Sequence, residues 1–291
     1  MPRFAANIAY LFSEIPLVER PAAAAGGGFQ AVEGQFPYDT PPAALRSEIE
    51  RHGLKMLGIN TERGDPERFG LAAVPNRERD FDGLFRQALD YIVAVGGTAI
   101  HCLAGKVDVN ERPAAERTFI ANLARAADLA AEKNITLLIE PINNRDRPDY
   151  FLNRAEHAAD IIAKTAKPNI RIQFDFYHAQ IMGGDLIRRF EKHLPLIGHV
   201  QIAAVPSRHE PDEGEVRVRT LWLGFMLHTR AGDVFFCGDS GWGPHFAAIR
   251  EKTPTAHTPP PKNSTRNSAA AGEICPKPIA MRWLSLHIRH A

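Results

Sequence analysis

Ile135-Thr136-Leu137-Leu138-Ile139-Glu140-Pro141-Ile142-Asn143 is the stretch on which the fold of this chain turns. Five apolar or β-branched residues run without a break into a carboxylate, and a proline follows. A continuous run of this kind reads as a strand buried on both faces, as in a parallel sheet. A glutamate where such a strand ends sits at the rim of the core, within reach of solvent and substrate. The pattern recurs: Ile170-Arg171-Ile172-Gln173-Phe174 leads into Asp175, and Ile197-Gly198-His199-Val200 leads into Gln201. Three strands thus bring Glu140, Asp175 and Gln201 to one end of a sheet, the end at which barrels of alternating strands and helices do their chemistry. A single acid at a strand end is commonly a helix cap or a loop residue. Capping does not require the recurrence.

Working outward, strands are expected at Phe4–Tyr10, at Phe29–Val32 ending in Glu33, at Leu54–Ile59 ending in Asn60, and at Thr98–Leu103. Helices are expected between them over Ile15–Ala25, Pro41–His52, Arg77–Val95 and Pro113–Lys133, and later over Arg154–Thr165 and Gly184–Lys192. The rounds of strand and helix recur about every 30 residues, the length a parallel crossover needs, and eight of them close a (β/α)8 barrel. An open doubly wound sheet would prefer a Gly-rich turn after its first strand. Gly26-Gly27-Gly28 instead precedes a strand and reads as a turn. The fold class is therefore α/β, a TIM barrel.

The 291 residues are 44% hydrophobic and 24% charged, ordinary values for a soluble globular protein. With 35 basic and 34 acidic residues the formal charge is +1, which gives no electrostatic case for nucleic acid or an anionic membrane as a partner. Cys102, Cys237 and Cys275 are odd in number and scattered, so neither a disulfide framework nor a zinc knuckle is expected, and a reducing cytoplasm is the simpler reading. No apolar run approaches the ~20 residues that span a bilayer. Met1-Pro2-Arg3-Phe4 reads as the approach to a first strand and not as a signal peptide.

Four motifs are more specific: Val32-Glu33-Gly34-Gln35-Phe36-Pro37-Tyr38-Asp39, Leu137 to Asn143, Gln173-Phe174-Asp175-Phe176-Tyr177-His178, and Gly198-His199-Val200-Gln201-Ile202-Ala203. With Gly214-Glu215 they resemble the hydroxypyruvate isomerase family of xylose-isomerase-like TIM barrels, over about residues 1–216. The resemblance implies interconversion of hydroxypyruvate and tartronate semialdehyde, or of a similar 2-oxo sugar acid. It also implies a divalent metal held by a Glu, an Asp, a Gln and a second Glu on strand eight. The residue chemistry agrees. Moving a carbonyl to the adjacent carbon needs a base beside the carbonyl and stabilisation of the enediolate between the two proton transfers. Hard oxygen ligands suit Mg²⁺ or Mn²⁺. Glu140 is then ligand and acid/base, and Asp175 and Gln201 are ligands. His178, in the loop after its strand, could polarise or protonate a substrate oxygen. His199, two residues before Gln201, shares its face and either lines the site or packs in the barrel. Glu33 and Arg208 are candidate substrate contacts, with loop roles competing at each. Asn60 and Lys106 are weaker candidates. The expected partner is a small 2-oxo acid; a homo-oligomer is compatible with this reading.

The pattern departs from the family at about Val216. A helix and an eighth strand carrying the second Glu should follow and are not recognisable, and Ala204 stands where an acid is expected. Leu221 to Phe225, Gly232 to Gly241 and Gly243 to Phe246 instead look like a fragment of a metallo-β-lactamase-fold hydrolase, over about residues 217–250. The histidine cluster of such enzymes is missing, and the aspartate of Gly238-Asp239-Ser240-Gly241 cannot hold a dinuclear zinc site alone. A helix over Thr220–Thr229 and a strand over Asp233–Cys237 could complete the barrel and put Asp239 in place of the lost Glu. Residues 251–291, with Pro259-Pro260-Pro261, read as an irregular or disordered tail. The alternatives to an active isomerase are an impaired barrel that only binds metal or a 2-oxo acid, a metallohydrolase, and an endonuclease of the same superfamily.

Overall fold

The computed structural model describes residues 4–204, 225–229, 232–236 and 282–287. In chain order the elements are β1 (Phe4–Asn7), α1 (Arg20–Gly26), β2 (Ala31–Glu33), α2 (Pro42–Arg51), β3 (Lys55–Met56), β4 (Gly58–Asn60), α3 (Glu78–Val95), β5 (Ala99–His101) and α4 (Arg112–Ala131). There follow β6 (Thr136–Ile139), α5 (Ala155–Thr165), β7 (Ile170–Asp175), α6 (Phe176–Met182), α7 (Leu186–His193), β8 (Ile197–Ala204), β9 (Phe225–Thr229), β10 (Gly232–Phe236) and β11 (Arg282–His287). The helices start and stop where local chemistry directs. Prolines stand in the first turns of α1, α2 and α4, where a missing N–H costs nothing. The left-handed Gly96 ends α3.

Nine strands form one sheet in the order β3-β2-β1-β11-β8-β7-β6-β5-β4. The ends of that list are consecutive in the chain, since only Leu57 separates β3 from β4. Its backbone closes the ring: Leu57 N–H donates to the Val32 carbonyl (2.9 Å), and the Leu57 carbonyl accepts from Thr98 N–H (3.2 Å). The strand expected at Leu54–Ile59 is thus one barrel strand in two segments, β3 pairing with β2 and β4 with β5. From β1 to β2 and from β4 through β8 the pairings are parallel. The barrel core is aliphatic, with Val32, Ile59, Ile100, Leu137, Ile139, Ile172 and Val200 almost wholly buried.

The eighth position is filled unusually. Residues 282–287, which fall in the segment expected to be irregular, form β11 between β1 and β8. β11 pairs with β1 antiparallel, with Phe4 opposite Leu286, Ala5 opposite Ser285 and Ala6 opposite Leu284. The expectation of an atypical eighth unit is met by a reversed strand.

The helix expected over Thr220–Thr229 is not found in its described part. Phe225–Thr229 is a strand, and it pairs with β10 as a separate two-stranded antiparallel sheet. The aromatic and β-branched residues Phe225, Thr229, Val234, Phe235 and Phe236 favour paired strands over a helix. β1 to β8 with β11 make up one compact unit, and β9 and β10 belong to another.

Candidate active site

The parallel strands end on a ring of polar side chains. Glu140 directly follows β6, Asp175 closes β7 opposite Gln201 of β8, and Glu33 closes β2. All four are buried. Each residue two positions back along β7 and β8 points the same way, so Gln173 and His199, themselves paired in register, form a layer just beneath.

Asp175 is both strand end and helix cap. Its Oδ1 accepts from the backbone N–H groups of Tyr177 (2.7 Å) and His178 (3.3 Å), the N-cap geometry that starts α6. His178 therefore lies in the first turn of a helix and not in a loop. The cap turns its ring back over the barrel mouth, where Nε2 is 3.8 Å from Glu140 Oε1. Asn143 holds the other side of the ring, Nδ2 to Nδ1 at 2.6 Å. The Asn143 side-chain Oδ1 accepts from the backbone N–H groups of Arg145 and Asp146 (3.0 and 2.9 Å), which fixes which end of the amide meets the ring. The amide donates, so Nδ1 accepts and the imidazole hydrogen resides on Nε2, facing Glu140.

Below, one hydrogen-bond network ties the ring together. Gln173 Nε2 donates to Glu140 Oε2 (2.9 Å) and to Gln201 Oε1 (3.0 Å). Gln201 Nε2 and Asn7 Nδ2 both donate to Glu33 Oε1, each at 2.7 Å. His199 Nε2 meets Glu33 Oε2 at 2.5 Å. Glu33 and His199, expected as separate substrate contacts, are thus partners of one another. His101, at the end of β5, brings Nδ1 to 3.4 Å from Glu140 Oε2 without hydrogen-bond geometry.

Burial dominates the electrostatics. It pushes the Glu140 carboxyl well above the ordinary range, and the charges of Asp175 and Glu33 add to the rise. Burial also raises Asp175, against the lowering pull of His178 and its backbone hydrogen bonds. His101 is driven down to about 3, by burial first, and is neutral at any working pH.

A divalent metal, implied by the resemblance, fits these residues. Glu140, Asp175 and His178 each offer a ligand atom, all within 4.8 Å of one another. Asp175 Oδ2 is buried and has no hydrogen-bond partner, an expensive state that a cation would relieve. Three buried carboxylates in one ring carry the same demand for positive charge. Gln201 Oε1 sits in the same ring, held by Gln173.

Four polar residues of the site, Asn7, His101, Gln173 and Asn143, were not singled out from the sequence. Asn7 and His101 do close strands, β1 and β5, and that position was the available signal. Gln173 was signalled only by its two-residue offset from Asp175. Nothing local in the sequence marks the Asn143–His178 contact. Asn60 ends β4 as expected, its carbonyl accepting from the Tyr38 hydroxyl at 2.5 Å. Lys106 lies at a bridge to Tyr150 in the loops above. Asp239 and Arg208 lie outside the described residues.

Acids, an amide and a histidine gathered at the C-terminal ends of the parallel strands of an α/β barrel place the polar site where barrels of this class do their chemistry. The chain belongs to the xylose isomerase-like TIM barrel family, whose model matches residues 21–229. It is 42% identical over 247 residues to the 2-oxo-tetronate isomerase of Cupriavidus necator, an alignment covering 80% of this chain and 95% of that one. It is 37% identical over 226 residues to the hydroxypyruvate isomerase of Escherichia coli, covering 76% of this chain and 87% of that one. A crystal structure from Brucella melitensis, described as an AP endonuclease of family 2, superposes with a TM-score of 0.69 at 43% identity, covering 74% and 84% of the two chains. The chain is accordingly an isomerase.

Proposed function

We propose that the chain is a metal-dependent isomerase of small 2-oxo sugar acids, interconverting hydroxypyruvate and tartronate semialdehyde or the corresponding pair one carbon longer. The observation that carries this reading is the buried, raised-pKa Glu140 with His178 Nε2 at 3.8 Å. Glu140 is the proton carrier. Its carboxylate takes a proton from the hydroxymethyl carbon of hydroxypyruvate, and the freed electron pair forms the enediolate double bond. Glu140 then returns the proton to the former carbonyl carbon. His178, with its hydrogen on Nε2, moves the second proton from the hydroxymethyl oxygen to the former carbonyl oxygen, leaving an aldehyde. Glu140, Asp175 and Gln201 would hold Mg²⁺ or Mn²⁺, which would supply Lewis acidity to offset the negative charge that develops on the substrate. Gln173 keeps Glu140 and Gln201 in fixed orientation.

One base is sufficient for this chemistry. Epimerisation must remove a proton on one face of a carbon and deliver it on the other, which takes two bases. A 1,2-shift moves the proton along one face, so a single carboxylate can do both halves. That distinction matters here because β11 does not supply a second glutamate: Arg282-Trp283-Leu284-Ser285-Leu286-His287 holds no carboxylate. The buried thiol of Cys102, pushed far up by burial, fits a reducing, cytoplasmic setting.

The test is turnover of hydroxypyruvate with Mg²⁺ or Mn²⁺, beside Glu140→Gln. We expect activity in the wild type and a loss of about 10²–10⁴ in kcat in the variant. With hydroxypyruvate deuterated at the hydroxymethyl carbon, some label should appear on the neighbouring carbon. A folded wild type without turnover would favour a barrel that only binds metal or a 2-oxo acid. The observation favouring that second reading is the absence of a carboxylate from β11.

A further inference from the structure

The loops above the strand ends are joined into one layer. Gly70 bridges Ala104 and Lys106 bridges Tyr150, linking the loops that follow β4, β5 and β6. Lys106 N–H donates to the Arg68 carbonyl (2.7 Å) and Phe151 N–H to the Gly105 carbonyl (2.9 Å). This layer carries two exposed arginines that no carboxylate neutralises among the described residues. Arg63 lies over the Phe36 ring at 4.4 Å from its centroid and over the Phe69 ring at 5.2 Å. Arg147 lies over the same Phe69 ring at 4.2 Å. Two like charges gathered on one ring repel weakly in water, stacking offsets the repulsion, and an arriving anion would relieve what is left.

Phe69 is itself held in an unusual state. Its φ is +54°, the left-handed region that bulky side chains avoid. Backbone of this kind persists where the surroundings over-determine it, and it clusters at sites of function. Its partners are fixed too: Phe69 N–H donates to Asp65 O (3.1 Å), and Gly70 N–H to Arg63 O (3.1 Å). The layer rises from the strand ends that carry the site: Arg63 follows Asn60, the last residue of β4, and Arg147 is in the loop that begins at Glu140 after β6. The Tyr10 phenol, pushed up mainly by burial and eased by its hydrogen bond to Gln35, is also raised by the charge of Glu140 and lowered by those of Arg63 and Arg147. One group thus senses both the catalytic carboxylate and the two arginines.

We infer that Arg63 and Arg147, stacked on Phe69, are specificity-determining residues that capture the substrate's carboxylate and select sugar acids over neutral ketoses. The inference rests on the isomerase reading above. Guanidinium forks match a carboxylate in plane and number of donors. Aromatic stacking holds the forks ready, so less side-chain entropy is lost when the acid arrives. Long-range attraction by the pair also raises the local concentration of an anionic substrate at the mouth.

The experiment compares hydroxypyruvate with dihydroxyacetone, which replaces the carboxylate by a hydroxymethyl group and keeps the reacting carbons. Arg63→Gln, Arg147→Gln and the double variant are assayed with Mn²⁺, with thermal melts to verify folding. For hydroxypyruvate we expect KM to rise about tenfold per arginine, in the range of a charge-assisted hydrogen bond, with kcat nearly unchanged. For dihydroxyacetone we expect KM to stay where it was. Wild-type KM for the acid should rise with salt, and the double variant's should not. Phe69→Leu, which keeps both charges and removes the stacking ring, should raise KM for the acid by less than the double variant does. An equal loss for both substrates, a fall in kcat alone, or no change would overturn the inference. If the wild type turns over neither compound nor the 2-oxo acid one carbon longer, the isomerase reading fails, and calorimetric titration of hydroxypyruvate and dihydroxyacetone into Mn²⁺-loaded protein decides the rim separately. Acid-selective binding lost in the double variant sustains it, and unselective or unaltered binding refutes it.

Discussion

At the scale of single residues, the site is a problem in burying charge. Glu140, Asp175 and Glu33 are all desolvated, and the first two are raised by it. In metal-free protein the folded state therefore keeps protons that the unfolded chain has already released. The window opens at the ordinary carboxylate values, 4.5 for Glu140 and 3.8 for Asp175, and runs up to the raised folded ones. Across it the native state binds more protons than the unfolded state, so stability falls as pH rises. A metal ion binds the ionised carboxylates, so its stabilising effect grows across the same window. We expect the rise in Tm on adding Mn²⁺ to be larger at pH 8 than at pH 5 by scanning calorimetry; equal or reversed shifts would contradict this account. Gln173 offers a second test. It donates to both Glu140 and Gln201, so Gln173→Met should weaken metal binding about 10- to 100-fold, the usual cost of losing an outer-shell partner. A calorimetric metal titration measures it, and undiminished affinity would show that the glutamine only fills space.

At the scale of elements, strand ends and the loops above them divide the labour. The strands position Glu140, Asp175 and Gln201, whereas the loop layer holds the aromatic and arginine groups over the mouth. That layer depends on two glycines in close approach. Gly105 has φ of +95°, and a Cβ there would lie 2.2 Å from the Gly70 carbonyl oxygen. Gly105→Ala should therefore cost more than about 1 kcal/mol and displace the loops after β4, β5 and β6. A lower urea midpoint with a raised KM is expected; an unchanged midpoint would mean that the loops yield without cost. The three strand-end oxygen residues were legible from the chain because an apolar run followed by a polar residue is a local pattern. The helical placement of His178 was not, since it depends on Asp175 capping α6 through its own carboxylate.

At the scale of the whole molecule, the point of interest is the reversed eighth strand. β11 gives β1 a neighbour through three register pairs and separates β1 from β8. Without it both strands would present unpaired backbone groups. Deleting residues 282–291 should cost a few kcal/mol, at ~1 kcal/mol per hydrogen bond, and lower Tm by roughly 10 °C. Ser285→Pro, which removes one ladder donor, should do so by less. A full-length midpoint in the deletion would mean that the barrel does not rely on β11. Because the strand runs backwards, its first residues, Arg282 and Trp283, stand at the catalytic end beyond the Ala6–Leu284 pair. A neutral overall balance of +1 also gives an endonuclease reading no electrostatic support.

The sequence by itself determined the barrel class, the strands that carry its chemistry, and Glu140, Asp175 and Gln201 as oxygen-bearing side chains at one end. It could do so because hydrophobic period and strand-end polarity are properties of neighbouring residues. Only the tertiary structure decided that Glu33 and His199 are partners, that Gln173 and Asn143 orient the site, that Arg63 and Arg147 meet on Phe69, and that the eighth slot is filled in reverse from residues 282–287. Each of these is a contact between segments far apart in the chain. Side-chain reach, register and burial choose such partners, and no local pattern encodes them.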